Sequence, residues 1–139
     1  TCTEYERVEF DDLLGRSDIL SLHCPLSDRT RNLIDKEAFR KMKKSAVLIN
    51  VARGPVVNGQ DLYDALMAGE IAAAGLDVLE KEPMEKDNPL GKIKDSTKLI
   101  ITPHMSWAST EARARLVGEV VKNIQAFTDG QDRNIVNVK

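Results

Sequence analysis

The sequence predicts an α/β fold: a parallel sheet of about four strands with flanking helices, followed by one long C-terminal helix. Three observations carry this reading. Short aliphatic runs recur between turn residues, segments of helical periodicity separate them, and a longer one-sided helical stretch comes last.

The runs are Ile19–Leu22, Ala46–Val51, Ala72–Leu79 and Leu99–Ile101. Aliphatic runs this short suit strands buried on both faces of a parallel sheet. Asp35 is placed to N-cap a helix through Phe39 and Met42. Asn58 is placed to cap another that carries Leu62, Leu66 and Met67, with Gly69 ending it. Strand alternating with helix implies βαβ units with right-handed crossovers. The last helix is expected from about Ser109 to Asp129, with Ala112, Leu116, Val120, Ile124 and Phe127 on one stripe and Gly130 stopping it. Beyond it, Asn134-Ile135-Val136-Asn137 reads as a terminal extended segment. Residues 80–96 hold Pro83, Pro89, Gly91 and mixed charges, and read as a long surface loop, a kind that is uncommon unless functional. The opening Thr1-Cys2-Thr3-Glu4-Tyr5-Glu6 is polar, has no helix start or strand of its own, and reads like the middle of a longer chain.

With 139 residues the chain is long enough for one domain with a real core. A net charge of -2, with 42% hydrophobic and 30% charged residues, gives no electrostatic footprint for nucleic acid or an anionic membrane, so neither partner is expected. No apolar run approaches the ~20 residues of a membrane span, no leader pattern is present, and the protein is read as cytoplasmic. Cys2 and Cys24 have no metal spacing and are read as reduced thiols.

In an open parallel sheet, ligands bind beyond the carboxyl ends of the strands. Here those positions carry His23-Cys24-Pro25, then Arg53-Gly54, then Asp77 leading to Glu80 and Glu82, then Pro103-His104. Each taken singly suits a loop-edge charge or a satisfied histidine. Together, a guanidinium, carboxylates and an imidazole on one edge point to a site. The spacing does not suit zinc. Ser106 and Ser109 raise the idea of a nucleophile, but no G-x-S-x-G elbow is present and Ser109 reads as a helix cap. An arginine able to hold a carboxylate bidentately, beside a histidine supported by a carboxylate, suits proton transfer to the carbonyl of an anionic 2-oxo acid.

Four stretches, "LHCPLSDRTRNLID" (22–35), "LINVARGPVVN" (48–58), "AAAGLDVLEKEP" (72–83) and "TPHMSWASTEAR" (102–113), resemble in order and spacing the D-isomer-specific 2-hydroxyacid dehydrogenases. These are NAD(P)-dependent enzymes with a Rossmann cofactor domain. The resemblance implies the C-terminal, nicotinamide-side half of that Rossmann sheet over residues 1–106, and over 107–139 a connecting helix and tail that would pack on a substrate domain. It assigns Arg53 to the substrate carboxylate and carbonyl, His104 to general acid/base work, and Glu82 to pairing with His104. It places Asp77 at the nicotinamide end of the cofactor, Val51 and Ala52 at backbone contacts of the same pocket, and Pro25 on the adenosine side. Arg53, His104 and Ser106 join the cofactor-binding set.

The implied activity is hydride transfer between NAD(P)H and a small 2-oxo or 2-hydroxy acid. Trp107, the following "ASTEAR" and the "GQDRNIVN" ending are most similar to the glycerate dehydrogenase and hydroxypyruvate reductase group, which implies hydroxypyruvate/D-glycerate or glyoxylate/glycolate. Trp107 suits equally a hydrophobic anchor at the start of the long helix. Phosphoglycerate dehydrogenase and a non-enzymatic, NAD-sensing corepressor of the same fold are the alternatives. The glycines, at 15, 54, 59, 69, 75, 91, 118 and 130, do not form the phosphate-binding G-x-G-x-x-G. The chain alone is therefore expected to bind NAD weakly or not at all and to be inactive. NAD is the expected cofactor, with NADP not excluded, and the full-length protein is expected to be a homodimer.

Overall fold

The computed structural model describes residues 5–136. The chain divides after His104 into two compact units. The first runs α1 (Phe10–Arg16), β1 (Ile19–Leu22), α2 (Lys36–Lys41), β2 (Val47–Asn50), α3 (Gly59–Ala68), β3 (Ala73–Leu76) and β4 (Leu99–Ile101). Its four strands form one parallel sheet in the order β1-β2-β3-β4. The predicted α/β class and strand number hold.

The register decides where chemistry can gather. Leu22 pairs with Asn50, Asn50 with Leu76, and Leu76 with Ile101, so the strands end level with one another. The residues that follow, His23, Val51, Asp77 and Thr102, therefore leave the sheet along a single edge. Asp77 N–H still donates to the Asn50 carbonyl (2.9 Å), and Thr102 N–H to Leu76 (2.9 Å), which extends the ladder one step into that edge.

The helices start where the sequence supplies a cap. Asp35 accepts from Ala38 N–H at 3.0 Å. Asn58 accepts from the N–H groups of Gln60 and Asp61, each at 3.1 Å. Gly69 ends α3 with φ of +69°, a left-handed turn that L side chains disfavour. Between β2 and α3, Asn32 N–H reaches Pro55, Ile34 N–H reaches Val56, and Asn58 N–H returns to Ile34. These three bonds fix the stretch that follows Arg53.

One face of the sheet carries the core. Leu20, Leu22, Leu48, Ala74, Leu76 and Leu99 pack in one cluster with Leu14 of α1, Phe39 of α2 and Leu62 and Leu66 of α3. The opposite face is not buried as predicted: Ile19 is 68% and Ile100 58% exposed, and Val47, Ile49, Ala73 and Gly75 are half-buried. Burial therefore alternates along each strand, because α2 and α3 contribute their apolar sides to a single cluster. Met67, placed on the α3 stripe by its spacing, points away and is exposed.

Other expectations need correction. Helix α1 was not predicted, since Leu14 is its only buried residue and gives little periodicity to read. The third run is strand only through Leu76, and Asp77 to Leu79 turn away from the sheet. Residues 80–96 are not wholly a surface loop: Asn88 caps a 3₁₀ turn over Pro89–Lys92 that buries Leu90 in the core. Residues 134–136 form no strand, and Asn137 lies outside the described residues.

The second unit is built on α4 (Thr110–Thr128), capped by Ser109, whose hydroxyl accepts from Ala112 N–H at 3.2 Å. Arg133 folds the tail onto the helix, donating to Asn123 and Glu119 at 2.5 Å each. The predicted apolar stripe is present and exposed at Leu116, Val120, Ile124 and Phe127.

Leu48 is fully buried at the centre of the sheet. Leu48→Ala is expected to destabilise the protein by about 2–5 kcal/mol, measured by urea unfolding. A loss below about 1 kcal/mol would mean that the core is not centred on β2.

Candidate active site at the carboxyl edge of the sheet

Beyond β2, Asn50 closes a short loop on itself. Its side chain is 1% exposed; Oδ1 accepts from Ala52 N–H at 3.0 Å and Nδ2 donates to the Arg53 carbonyl at 3.1 Å. Both ends of the amide are thereby used, which is how a buried asparagine is accommodated next to a core. The loop presents Arg53 outward, exposed, with Nη1 donating to the Ala52 carbonyl at 2.7 Å. Arg53 lines a cleft of about 550 Å³ with His23, Cys24, Pro25, Val51 and Ala52. Three of the predicted cofactor residues, Pro25, Val51 and Ala52, thus share one cleft with Arg53. His23 Nε2 lies 2.8 Å from the Ser21 hydroxyl at its rim.

Beyond β3 and β4 a second cleft, of about 400 Å³, is lined by Asp77, Leu79, Glu82, Pro83, Thr102 and His104 among others. Asp77 is only 4% exposed, and its Oδ1 accepts the Thr102 hydroxyl at 2.5 Å. His104 N–H donates to the carbonyls of Asp77 (2.9 Å) and Thr102 (3.0 Å). The histidine backbone is left-handed, with φ of +53°. Positive φ is uncommon outside glycine, though histidine is enriched there with asparagine and aspartate, and residues so held gather at functional sites.

The imidazole meets Glu82: Nδ1 and Oε2 are 2.8 Å apart, with the two side chains 41% and 38% exposed. Glu82 Oε1 accepts from Leu79 N–H at 2.9 Å. The Glu82 carboxyl is held below its ordinary value, first by the His104 hydrogen bond and next by the Leu79 N–H, against weaker opposition from burial and the Asp77 charge. At neutral pH Glu82 is ionised and can only accept. His104 Nδ1 therefore carries the hydrogen of this bond.

Residues 2–106 match the family model described as the NAD binding domain of D-isomer specific 2-hydroxyacid dehydrogenases. The chain belongs to that family. It is 48% identical over 130 residues to a hydroxypyruvate reductase of Blautia hydrogenotrophica, covering 94% of this chain and 39% of that protein. It is 43% identical over 129 residues to a glycerate dehydrogenase of Methylorubrum extorquens, covering 93% and 41%. Among solved structures, the NAD-complexed D-isomer specific 2-hydroxyacid dehydrogenase of Lactobacillus delbrueckii ssp. bulgaricus matches with a TM-score of 0.79 at 33% identity, over 94% of this chain and 43% of that one. An acyclic imino acid reductase bound to NADPH and D-Arg matches with a TM-score of 0.87 at 32% identity, over 99% and 43%. The chain thus spans about two fifths of the length of the curated relatives it matches.

In this family member, the Rossmann-type half-sheet brings seven of the eight predicted site residues to one edge. Pro25, Val51, Ala52 and Arg53 line one cleft, and Asp77, Glu82 and His104 the other. Ser106 falls in the second unit, beyond the division after His104. Sequence reading gave no role to Asn50 or Thr102, although both hold predicted site residues. A polar residue closing an aliphatic strand was the available signal for Asn50. Among the described residues no helix is long and apolar enough to cross a membrane, and no group of three or more histidine, cysteine or acidic residues is placed to hold a metal.

In a pH series followed by carboxyl-carbon NMR, Glu82 is expected to titrate below the ordinary glutamate value. A midpoint at or above that value would refute the pairing. The sign for stability follows: the pair contributes fully above the ordinary glutamate range, and the contribution is lost as pH falls through the lowered folded value.

Proposed function

We propose that this chain is the nicotinamide-side half of the cofactor domain of an NAD-dependent dehydrogenase that reduces a small 2-oxo acid, with hydroxypyruvate as the preferred candidate and glyoxylate next. The observation that carries the reading is the Glu82–His104 pair beside buried Asp77, in a chain of this family. The hydroxypyruvate reductase and glycerate dehydrogenase relatives support the choice of substrate.

The residues present suit the nicotinamide end of the cofactor. Asp77 supplies carboxylate oxygens, the acceptors a carboxamide NH₂ requires, Val51 and Ala52 line the cleft beside Arg53, and Pro25 lines it on the adenosine side. When bound, NAD(P)H supplies the hydride. Arg53 binds the substrate carboxylate and draws charge from its carbonyl oxygen, a task for which the planar guanidinium fork is suited. His104 gives that oxygen a proton from Nε2. Glu82 accepts from Nδ1–H and so fixes the orientation of the ring that donates. In the reverse direction neutral Nε2 takes the hydroxyl proton.

The same reading makes residues 107–139 the helix and tail that pack on a substrate domain, and the exposed apolar stripe of α4 supports it. A homodimer, usual in the family, completes it, and the cytoplasm is its proposed location.

The test is NADH absorbance loss on adding hydroxypyruvate to the full-length gene product containing this segment. His104→Ala is expected to lower kcat by about 10²–10⁴-fold. Arg53→Lys keeps the charge but loses the fork, and is expected to lower kcat/KM by about 10²-fold or more. Near-normal turnover in either variant would remove the assigned role. Failure of the wild type with a panel of 2-oxo acids, while NADH still binds, would sink the dehydrogenase reading.

A further inference from the structure

Gly54 follows Arg53 directly, is buried, and does not have a left-handed backbone. Its lack of a side chain is explained by what it touches. A Cβ placed on it would lie 1.9 Å from both the carbonyl carbon and oxygen of Leu79, and 2.4 Å from the Glu80 nitrogen. These are backbone atoms and cannot rotate aside, so any side chain at 54 forces one of the two segments to move.

The two segments are those that carry the polar groups of the site. On one side, Asn50 grips the loop of Ala52 and Arg53 through both ends of its buried amide. On the other, Leu79 N–H holds Glu82 Oε1, and Glu82 Oε2 holds His104 Nδ1. Gly54 is the place where the first assembly rests against the second. We propose that Gly54 is a positioning residue that keys the Arg53 loop to the Glu82–His104 pair through the Leu79–Glu80 backbone, so that the anion-binding and proton-transfer groups are held as one unit. The roles of those groups rest on the function proposed above; the contact itself does not.

A glycine that only fills space would affect stability alone. A keying glycine has a second signature, because moving Leu79 withdraws the N–H that is the second largest cause of the lowered Glu82 carboxyl. The groups facing Glu82 are the His104 imidazole from beyond β4 and the Asp77 carboxylate from the end of β3; Lys81 in the same loop pairs with Glu85 instead.

The experiment uses Gly54→Ala in the full-length gene product, with Glu82→Gln to assign the carboxyl signal. In the folded variant the Glu82 midpoint is expected to move up toward the ordinary glutamate value. The acid limb of kcat/KM for hydroxypyruvate is expected to rise with it, and KM to rise roughly tenfold as Arg53 is displaced, the scale of one lost hydrogen bond to a charged group. A folded variant with an unmoved midpoint, or with a raised KM and an unmoved midpoint and limb, overturns the proposal. If Gly54→Ala does not fold, Asn50→Ala takes its place. It loosens the other side of the same contact, and should raise the Glu82 midpoint although Asn50 touches neither Glu82 nor His104; an unmoved midpoint overturns the proposal there as well. The carboxyl titration needs no substrate, so a wild type that reduces no 2-oxo acid would sink the functional reading and leave this test intact.

Discussion

Parallel pairing in register is the constraint on which the site depends. Leu22, Asn50, Leu76 and Ile101 lie across from one another, so the chain leaves the sheet four times at the same level and in the same direction. Residues distant in sequence are thereby delivered to a common edge without any of them having to hold the fold together. The buried face, from Leu14 to Leu99, bears the hydrophobic load. The edge is left to polar groups joined by hydrogen bonds, some within one loop and others between loops that follow different strands.

Those bonds gather the edge into two pieces. One is an asparagine-closed loop that ends in Arg53, and the other links Asp77, Thr102, His104, Glu82 and Leu79 through side-chain and backbone bonds. The second piece gathers two carboxylates, an imidazole and a hydroxyl, and their arrangement separates their tasks. Asp77 is withdrawn from water beside Thr102, whereas Glu82 and His104 are partly exposed. Differences in burial between similar groups are how one site assigns unlike roles to them.

Much of this was legible in the sequence. The four aliphatic runs located the strands, and Asp35, Asn58, Gly69 and Ser109 marked helix boundaries through cap chemistry that acts within a few residues. Arg53, Asp77, Glu82 and His104 stood out because charge seldom follows a buried strand without reason. What the sequence did not disclose is what depends on contacts between distant segments. Helix α1 buries one leucine, too little for periodicity to register. Leu90 sits in the core inside a stretch whose composition is that of a loop. The sidedness of the sheet depends on where the helices lie, which the aliphatic content of a strand does not state. Gly54 owes its identity to Leu79, twenty-five positions away, and no local rule links the two.

The left-handed backbone of His104 carries a further consequence. A residue other than glycine or asparagine at φ of +53° gives up about 1–2 kcal/mol of conformational energy. Selection for thermal robustness alone would favour glycine at this position, relieving the backbone while discarding the imidazole. The protein therefore holds a small reserve of stability that it cannot recover without giving up the proposed proton carrier, and a screen for hardier variants would be drawn first toward that residue.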